Sequence, residues 1–373
     1  MSTSQPKNVP FLDLQATTAE VADAVHAEWA EITSTSAFIG GERVARFEGQ
    51  WAEFCGTKHA IGVANGTDAI ELSLRAMNIG NGDEVIVPAN TFVATVEAIV
   101  LAGATPRFVD IEADTLLVTA DAIADAVNDR TSAVIPVHLY GNMPDMAAIG
   151  ALAASKGLAV IEDAAQAHGA RQSGRRSGSF GAAGCFSFYP GKNLGAFGDA
   201  GAIVTSDDAL AARLRSMADH GRSKSHTGHD LLGRNSRLDA LQAAVLSVKL
   251  PRIDEWNAAR RRVLALYADL LPNDRARLVT SQTESGAHLN VALVRDRDQI
   301  REELARRGIQ TGIHYPVPCH LQAPYAQYQS GSLPVAETTA HEIVSLPLSP
   351  QLADDQIRYV CETLIELTRE VAA

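Results

Sequence analysis

From about Ala60 to Thr205 the chain alternates short apolar runs with amphipathic segments. The apolar runs predict strands over residues 84–87, 105–109, 133–137, 158–161, 184–187 and 202–205. Between them, apolar residues recur at helical spacing over 68–77, 91–101, 120–127 and 145–156. Parallel strands need a crossover, usually a helix, so this alternation predicts a mostly parallel sheet covered on both faces. The run Ala133-Val134-Ile135-Pro136-Val137 is apolar almost throughout, as burial on both faces requires.

After Arg237 the texture changes. Helices are predicted over 238–249 and 254–271, broken at Leu250-Pro251, where proline favours a fresh helix start. A strand over 289–294, a helix over 299–307 ending at Gly308, and an amphipathic helix over 353–371 follow. The expected organisation is a large domain, 1–250, and a smaller C-terminal α+β domain, 251–373. No internal repeat or low-complexity segment interrupts it.

Composition narrows the function classes. Lys plus Arg is 32 against 44 Asp plus Glu, a formal charge of −12, with no long basic run. Such a chain is not expected to track nucleic-acid phosphates, although a local field can still hold a small anion. Cys55, Cys185, Cys319 and Cys361 are far apart and form no CxxC pair, so neither a metal site nor a disulfide framework is expected. His220, His226 and His229 lie in a basic, glycine-rich stretch with no third ligand at metal spacing. The polar Met1–Pro10 segment has no apolar core of a signal peptide, and no run is long enough to cross a membrane. The expectation is a cytoplasmic protein without metal, nucleic-acid or membrane partners.

The chemistry-bearing segments follow the predicted strands. Lys192 sits in Ser187-Phe188-Tyr189-Pro190-Gly191-Lys192-Asn193-Leu194-Gly195. A lysine amine becomes a nucleophile only where its surroundings lower its pKa; a surface loop lysine is the plainer reading. A Walker A loop is excluded, because position 186 is Phe186 rather than glycine and Asn193 replaces the Ser or Thr. The dinucleotide motif GxGxxG is missing from the strand-to-helix turns, which disfavours a nicotinamide enzyme.

Asp163 follows the apolar strand Ala159-Val160-Ile161, at the strand end where α/β sheets bind ligands. It is a cap, a structural hydrogen-bond acceptor, or a ligand group. Paired with Lys192 it points to pyridoxal phosphate, which needs a lysine for covalent attachment and a carboxylate for its pyridinium nitrogen. Gln166, three residues on, is then placed to donate to the ring oxygen. Asn65-Gly66-Thr67-Asp68 precedes a helix and is either an ordinary cap or an anion site made of free N–H groups. Phe92 is a core residue or a ring that stacks on a planar cofactor. Ser187 and Asn235 are polar groups suited to a phosphate shell. His314-Tyr315-Pro316-Val317-Pro318-Cys319-His320 is a proline-stiffened segment displaying two histidines and a tyrosine, either a recognition loop or plain surface.

Together these segments resemble the DegT-type (DegT/DnrJ/StrS) sugar aminotransferases, fold-type I pyridoxal-phosphate enzymes, over nearly the whole chain. Asn65–Ala69, Glu162–Gly169, Ser187–Asn193 and Asn235–Ala244 carry the resemblance. It implies a fold-type I α/β transferase with pyridoxal phosphate as cofactor and pyridoxamine phosphate as intermediate. Lys192 would hold the cofactor and shuttle the proton, Asp163 would pair with the ring nitrogen, Gln166 with the ring oxygen, and Phe92 would stack. Gly66, Thr67, Asp68 and Ser187 would bind the cofactor phosphate, with Asn235 reaching in from the partner of a homodimer with shared active sites. Tyr189, His314, Tyr315 and His320 would meet substrate; Arg222, Arg234 and Arg237 are candidates for a diphosphate.

The segments 189–195 and 314–318 look most like members that aminate carbon 3 of nucleotide-linked, typically dTDP-linked, 3-keto-6-deoxyhexoses with L-glutamate as donor. Amination at carbon 4, a keto-cyclitol substrate, or a non-catalytic sensor or scaffold are the alternatives. One departure stands out. The segment His288–Val294 lacks the aromatic and histidine residues usual in that strand, which implies different substrate contacts there.

Overall fold

The computed structural model describes residues 8–370 apart from 224, 226 and 330. In chain order the strands are β1 (His59–Val63), β2 (Glu84–Pro88), β3 (Thr105–Val109), β4 (Thr131–Val134) and β5 (Ala159–Asp163). A two-stranded hairpin, β6 (Arg171–Gln172) and β7 (Arg175–Arg176), precedes β8 (Ala183–Ser187) and β9 (Gly201–Thr205). The C-terminal part adds β10 (Arg277–Leu278), β11 (Asn290–Leu293) and β12 (Ile343–Leu346).

Seven strands form the main sheet in the order β1-β9-β8-β5-β4-β2-β3. Its pairings are parallel except those of β9, which runs antiparallel to both β1 and β8. The predicted parallel sheet is therefore present, with one reversed strand. Alternate strand residues enter different cores, the period-two rule of a sheet covered on both faces. Val85, Val87, Ile61, Ile161 and Cys185 pack with the helices Gly66–Ala76, Val93–Leu101 and Asp208–Ala218. On the other face, Ile86 and Val134 meet the helices Ala120–Ala126 and Met146–Lys156. Ala60, Phe186 and Val204 meet Gly41–Cys55 and Ala240–Lys249.

The predicted strand over 133–137 ends at Val134; beyond it only isolated contacts persist, Ile135 N–H to Ile86 O and a bridge from Val137 to Asp163. Strand β1 and the helices Ala22–Thr35 and Gly41–Cys55 were not among the predicted elements. Helix Ala22–Thr35 buries only Val25 and Ile32, too few for a visible period.

The C-terminal strands form a sheet of their own, β10-β11-β12. It too has two buried faces. Val291 and Leu293 pack toward the large core, whereas Ala292, Val344 and Leu346 join the core of helices Ile253–Leu270, Arg297–Arg306 and Asp354–Glu370. Val9, bridged to Ile309, brings the N-terminal segment into that second core. Among the described residues no helix is long and apolar enough to cross a membrane, and no cluster of three metal-ligating side chains occurs.

Candidate active site

The carboxyl ends of β1, β2, β5 and β8 lie along one edge of the main sheet, and the chemistry-bearing residues follow them. Asn65, Gly66 and Thr67 come after β1, Thr91 and Phe92 after β2, Asp163 ends β5 and Ser187 ends β8. All seven line one cleft of about 550 Å³, together with Gln166, Tyr189, Lys192, His288, His314 and Tyr315. That volume suits a cofactor-sized ligand.

Strand alternation separates the two carboxylates at the end of β5. Glu162 turns away from the cleft and is fully buried. It accepts N–H groups of Gly178, Phe180 and Gly181 and pairs with His138 at 2.7 Å. Asp163 faces the cleft, where Oδ2 accepts from Thr95 Oγ1 at 2.7 Å and Oδ1 from Ala165 N–H at 3.1 Å. Glu162 therefore braces the strand, and of the two carboxylates only Asp163 faces the site.

Lys192 sits on the turn between β8 and β9, fastened from several sides. Its N–H donates to Tyr189 O, and Ala196 N–H donates to Phe188 O, both at 2.8 Å. Gly195 packs so tightly that an added Cβ would lie 2.2 Å from Pro190 O. The buried Lys249 donates to Gly195 O at 2.6 Å. With its loop fixed, burial lowers the Lys192 amine from 10.5 to about 8, against the opposing pull of the Asp163 charge. A cation losing water is disfavoured, so the free amine becomes accessible near neutral pH.

Gln166 is held by its neighbours. Its Oε1 accepts Tyr140 N–H at 2.7 Å, and its Nε2 donates to the Tyr315 hydroxyl at 2.9 Å. Tyr140, at φ 63°, joins both parts of the cleft wall. Its carbonyl accepts the N–H groups of His288 and Leu289, and its hydroxyl donates to His314 O at 2.6 Å. Burial, then the nearby Lys192 charge, lowers His314 to about 4, so this ring is neutral; its Nδ1 contacts Ser345 Oγ at 2.8 Å. Tyr315 is pushed up, chiefly by burial, and lies 5.4 Å from the half-exposed Phe92 ring.

Several expected site residues lie elsewhere. Asp68 is withdrawn from phosphate binding: its carboxylate pairs with Arg234 and its N–H donates to Asn65 Oδ1. The helix start therefore offers Gly66 and Thr67, whose N–H groups have no acceptor within the helix. His320 is a correction. It falls in the turn Cys319–Leu321, fully buried against Phe108, with Nε2 at 3.1 Å from Glu337 Oε1. Its ring cannot meet a ligand in the cleft. Asn235 is exposed and does not line the cleft of its own chain.

The three candidate arginines are committed to carboxylates: Arg234 to Asp68 and Glu71, Arg237 and Arg222 to Asp219. His229 Nδ1 donates to His220 O, and His226 lies outside the described residues. All four cysteines are free and buried.

His288 was missed. It precedes β11, lines the cleft, and contradicts the expectation that this segment offers no histidine. The signal was present in the sequence, at the head of the segment His288–Val294 itself.

The donor set fits pyridoxal phosphate. A lysine of lowered pKa, a buried carboxylate, free N–H groups at a helix start, a serine hydroxyl and a facing aromatic ring converge on one cleft. Gly66 adds a geometric sign: a Cβ there would lie 2.8 Å from Ser187 Cβ, so only glycine lets these two elements close around a phosphate.

The comparisons with known proteins agree with this geometry. The model of the DegT/DnrJ/EryC1/StrS aminotransferase family matches residues 20–365. A dTDP-3-amino-3,4,6-trideoxy-alpha-D-glucose transaminase of Streptomyces venezuelae is 42% identical, over 99% of both chains. A pleiotropic regulatory protein of Geobacillus stearothermophilus is 44% identical, over 98% of this chain and 100% of its own. The crystal structure of S. venezuelae DesV in complex with a ketimine intermediate superposes with a TM-score of 0.93. It is 43% identical, covering 97% of this chain and 98% of that one.

Proposed function

This chain belongs to the DegT/DnrJ/EryC1/StrS aminotransferase family, a pyridoxal-phosphate-dependent sugar aminotransferase, and we propose that it aminates carbon 3 of a dTDP-linked 3-keto-6-deoxyhexose. L-Glutamate is the proposed donor. The observation that carries the chemistry is the placement of Lys192 and Asp163 in one cleft at the carboxyl edge of the sheet.

Pyridoxal phosphate, when bound, supplies an electron-accepting ring and a carbon that carries nitrogen from donor to acceptor. Lys192 Nζ would anchor it and would hold the proton to be moved at the reacting carbon. With a pKa of about 8 it serves both as acid and as base near neutral pH, a contribution of roughly 10²- to 10⁴-fold. Asp163, its two oxygens fixed by Thr95 and Ala165, would be the partner of the ring nitrogen. Gly66 and Thr67 N–H and the Ser187 hydroxyl bind phosphate. Phe92, with Tyr315 packed 5.4 Å from it, would stack on the ring.

The carbon-3 assignment draws support from the 3-amino sugar in the name of the S. venezuelae relative. Segments 189–195 and 314–318 favour the same position. A homodimer completes the proposal, with Asn235 entering the partner's cleft. Phe38 and Ile39 are 42% and 58% exposed, and Ile39 bridges Asp239 close to Asn235, an apolar surface suited to a second copy. A cytoplasmic location is part of the same reading.

The regulatory name of the G. stearothermophilus relative favours a second reading, a sensor without turnover. One experiment separates the two. Keto-sugar nucleotides and keto-inositols are offered with glutamate, the products are read by NMR, and Lys192→Ala is run alongside. Amination at carbon 3 by the wild type and none by the variant is expected. Undiminished transfer by Lys192→Ala would refute the assignment, and no transfer by the wild type would favour the sensor.

A further inference from the structure

The wall of the cleft behind Lys192 contains a chain of amide groups whose direction can be assigned from its ends. Asn257 Nδ2 lies 2.7 Å from His168 O, a main-chain carbonyl that can only accept, so this atom is the amide nitrogen. Asn257 Oδ1 therefore accepts, and it does so from Asn193 Nδ2 at 2.8 Å. Asn193 Nδ2 also lies 2.6 Å from Gly286 O, a second main-chain acceptor that fixes this amide the same way. Asn193 Oδ1 is left as an acceptor, 2.9 Å from His288 Nδ1. His288 must then carry its proton on Nδ1.

In a neutral ring with Nδ1 protonated, Nε2 presents only a lone pair. The ring is neutral: burial first, then the charges of Lys192 and Arg260, with smaller effects of His168 and His314, hold it well below the ordinary histidine value. Among the described residues Nε2 has no hydrogen-bond partner, while the side chain lines the cleft. A preset acceptor in a partly buried wall calls for a donor from the ligand. Next to the reacting carbon of a keto sugar, the available donors are hydroxyl groups.

We propose that His288 Nε2 accepts a hydrogen bond from a sugar hydroxyl on a carbon adjacent to the one aminated, making His288 a specificity-determining residue. Asn193 and Asn257 are its positioning residues. The proposal rests on the sugar-nucleotide reading above. It ties specificity to the lysine loop, since Asn193 follows Lys192 directly. A protonated ring, or the opposite tautomer, would present a donor there and reverse the bond, leaving the hydroxyl to accept.

Two measurements test this. Histidine ¹⁵N NMR of the enzyme before substrate addition is expected to show His288 as the Nδ1–H tautomer; an Nε2–H tautomer overturns the proposal and needs no variant to be seen. Calorimetry then uses enzyme loaded with pyridoxamine phosphate, with which an amino-sugar ligand does not react. The ligands are a dTDP-linked 3-amino-3,6-dideoxyhexose and its counterparts lacking the 2-hydroxyl or the 4-hydroxyl. The wild type is expected to bind the parent about tenfold tighter than one deoxy counterpart, the value of one neutral hydrogen bond.

In His288→Asn the shorter amide keeps the reach to Asn193 but leaves the cleft without its acceptor. The preference should fall to about twofold or less. His288→Gln, which can place a carbonyl near the Nε2 position, should recover part of it. Equal binding of all three ligands by the wild type, or full discrimination by His288→Asn, overturns the role of His288 and leaves the aminotransferase reading intact. Failure of the wild type to bind any of the three refutes the sugar-nucleotide reading itself, and this inference with it.

Discussion

Replacing Lys192 by methionine should stabilise the cofactor-free protein at neutral pH, and the gain should vanish in alkali. Methionine matches the length of the stem and packs flexibly, so the substitution removes a charge without leaving a cavity. The fall of the lysine from 10.5 to about 8 corresponds to roughly 3 kcal/mol disfavouring the ammonium in the folded chain. Below pH 8 the folded and unfolded chains both carry the proton, so the wild type bears the whole cost. Between pH 8 and 10.5 the folded chain releases its proton while the unfolded chain keeps it. Native stability therefore rises with pH over that window.

The assay is equilibrium urea unfolding of both proteins, without cofactor and at one protein concentration, from pH 7 to 10.5. Other titrating groups contribute equally to both proteins and cancel in the difference. At pH 7 the variant should be the more stable by up to about 3 kcal/mol, and the gap should close as pH rises. A gap that does not change with pH, or a wild type more stable at pH 7, would show that the amine is not desolvated by this fold. Lys192 would then be an ordinary hydrated ammonium, unreactive near neutral pH.

Two further outcomes follow from the site. Gly66→Ala should weaken retention of pyridoxal phosphate at least tenfold, because its Cβ meets Ser187, whereas Asp68→Asn should change it by less than about threefold. Fluorescence titration with the cofactor reads both, and equal losses would return Asp68 to the phosphate site. His320→Leu should leave both substrate KM values unchanged, since its ring is sealed against Phe108 and its Glu337 partner keeps the Leu333 N–H and Ser332 bonds; a selective rise in sugar KM would contradict its buried placement.

The sheet was legible because strands buried on both faces must be apolar, as at Val85-Ile86-Val87 and Ile161. Asp163 and Lys192 were legible because the ends of such strands are where a buried charge earns a purpose. What escaped depended on contacts distant in sequence. A cap motif reads alike whether or not Arg234 claims the Asp68 carboxylate. Two histidines on a proline-rich segment look equivalent until the Cys319–Leu321 turn tucks His320 inward and leaves His314 at the cleft. His288 sits between a loop and a short strand, and its meaning comes from Asn193 and Asn257.

Tyr140 has a consequence for anyone recombining relatives of this protein. One residue ties Gln166, the backbone of His288 and Leu289, and the carbonyl of His314 into a single wall. Loops that look like separable cassettes are thus parts of one keystone arch. Swapping the 314–318 segment alone would leave the Tyr140 hydroxyl aimed at a backbone of different shape. Exchange of substrate preference by chimaera should succeed when residues 139–141, 286–289 and 314–318 travel together, and stall when any one is moved alone.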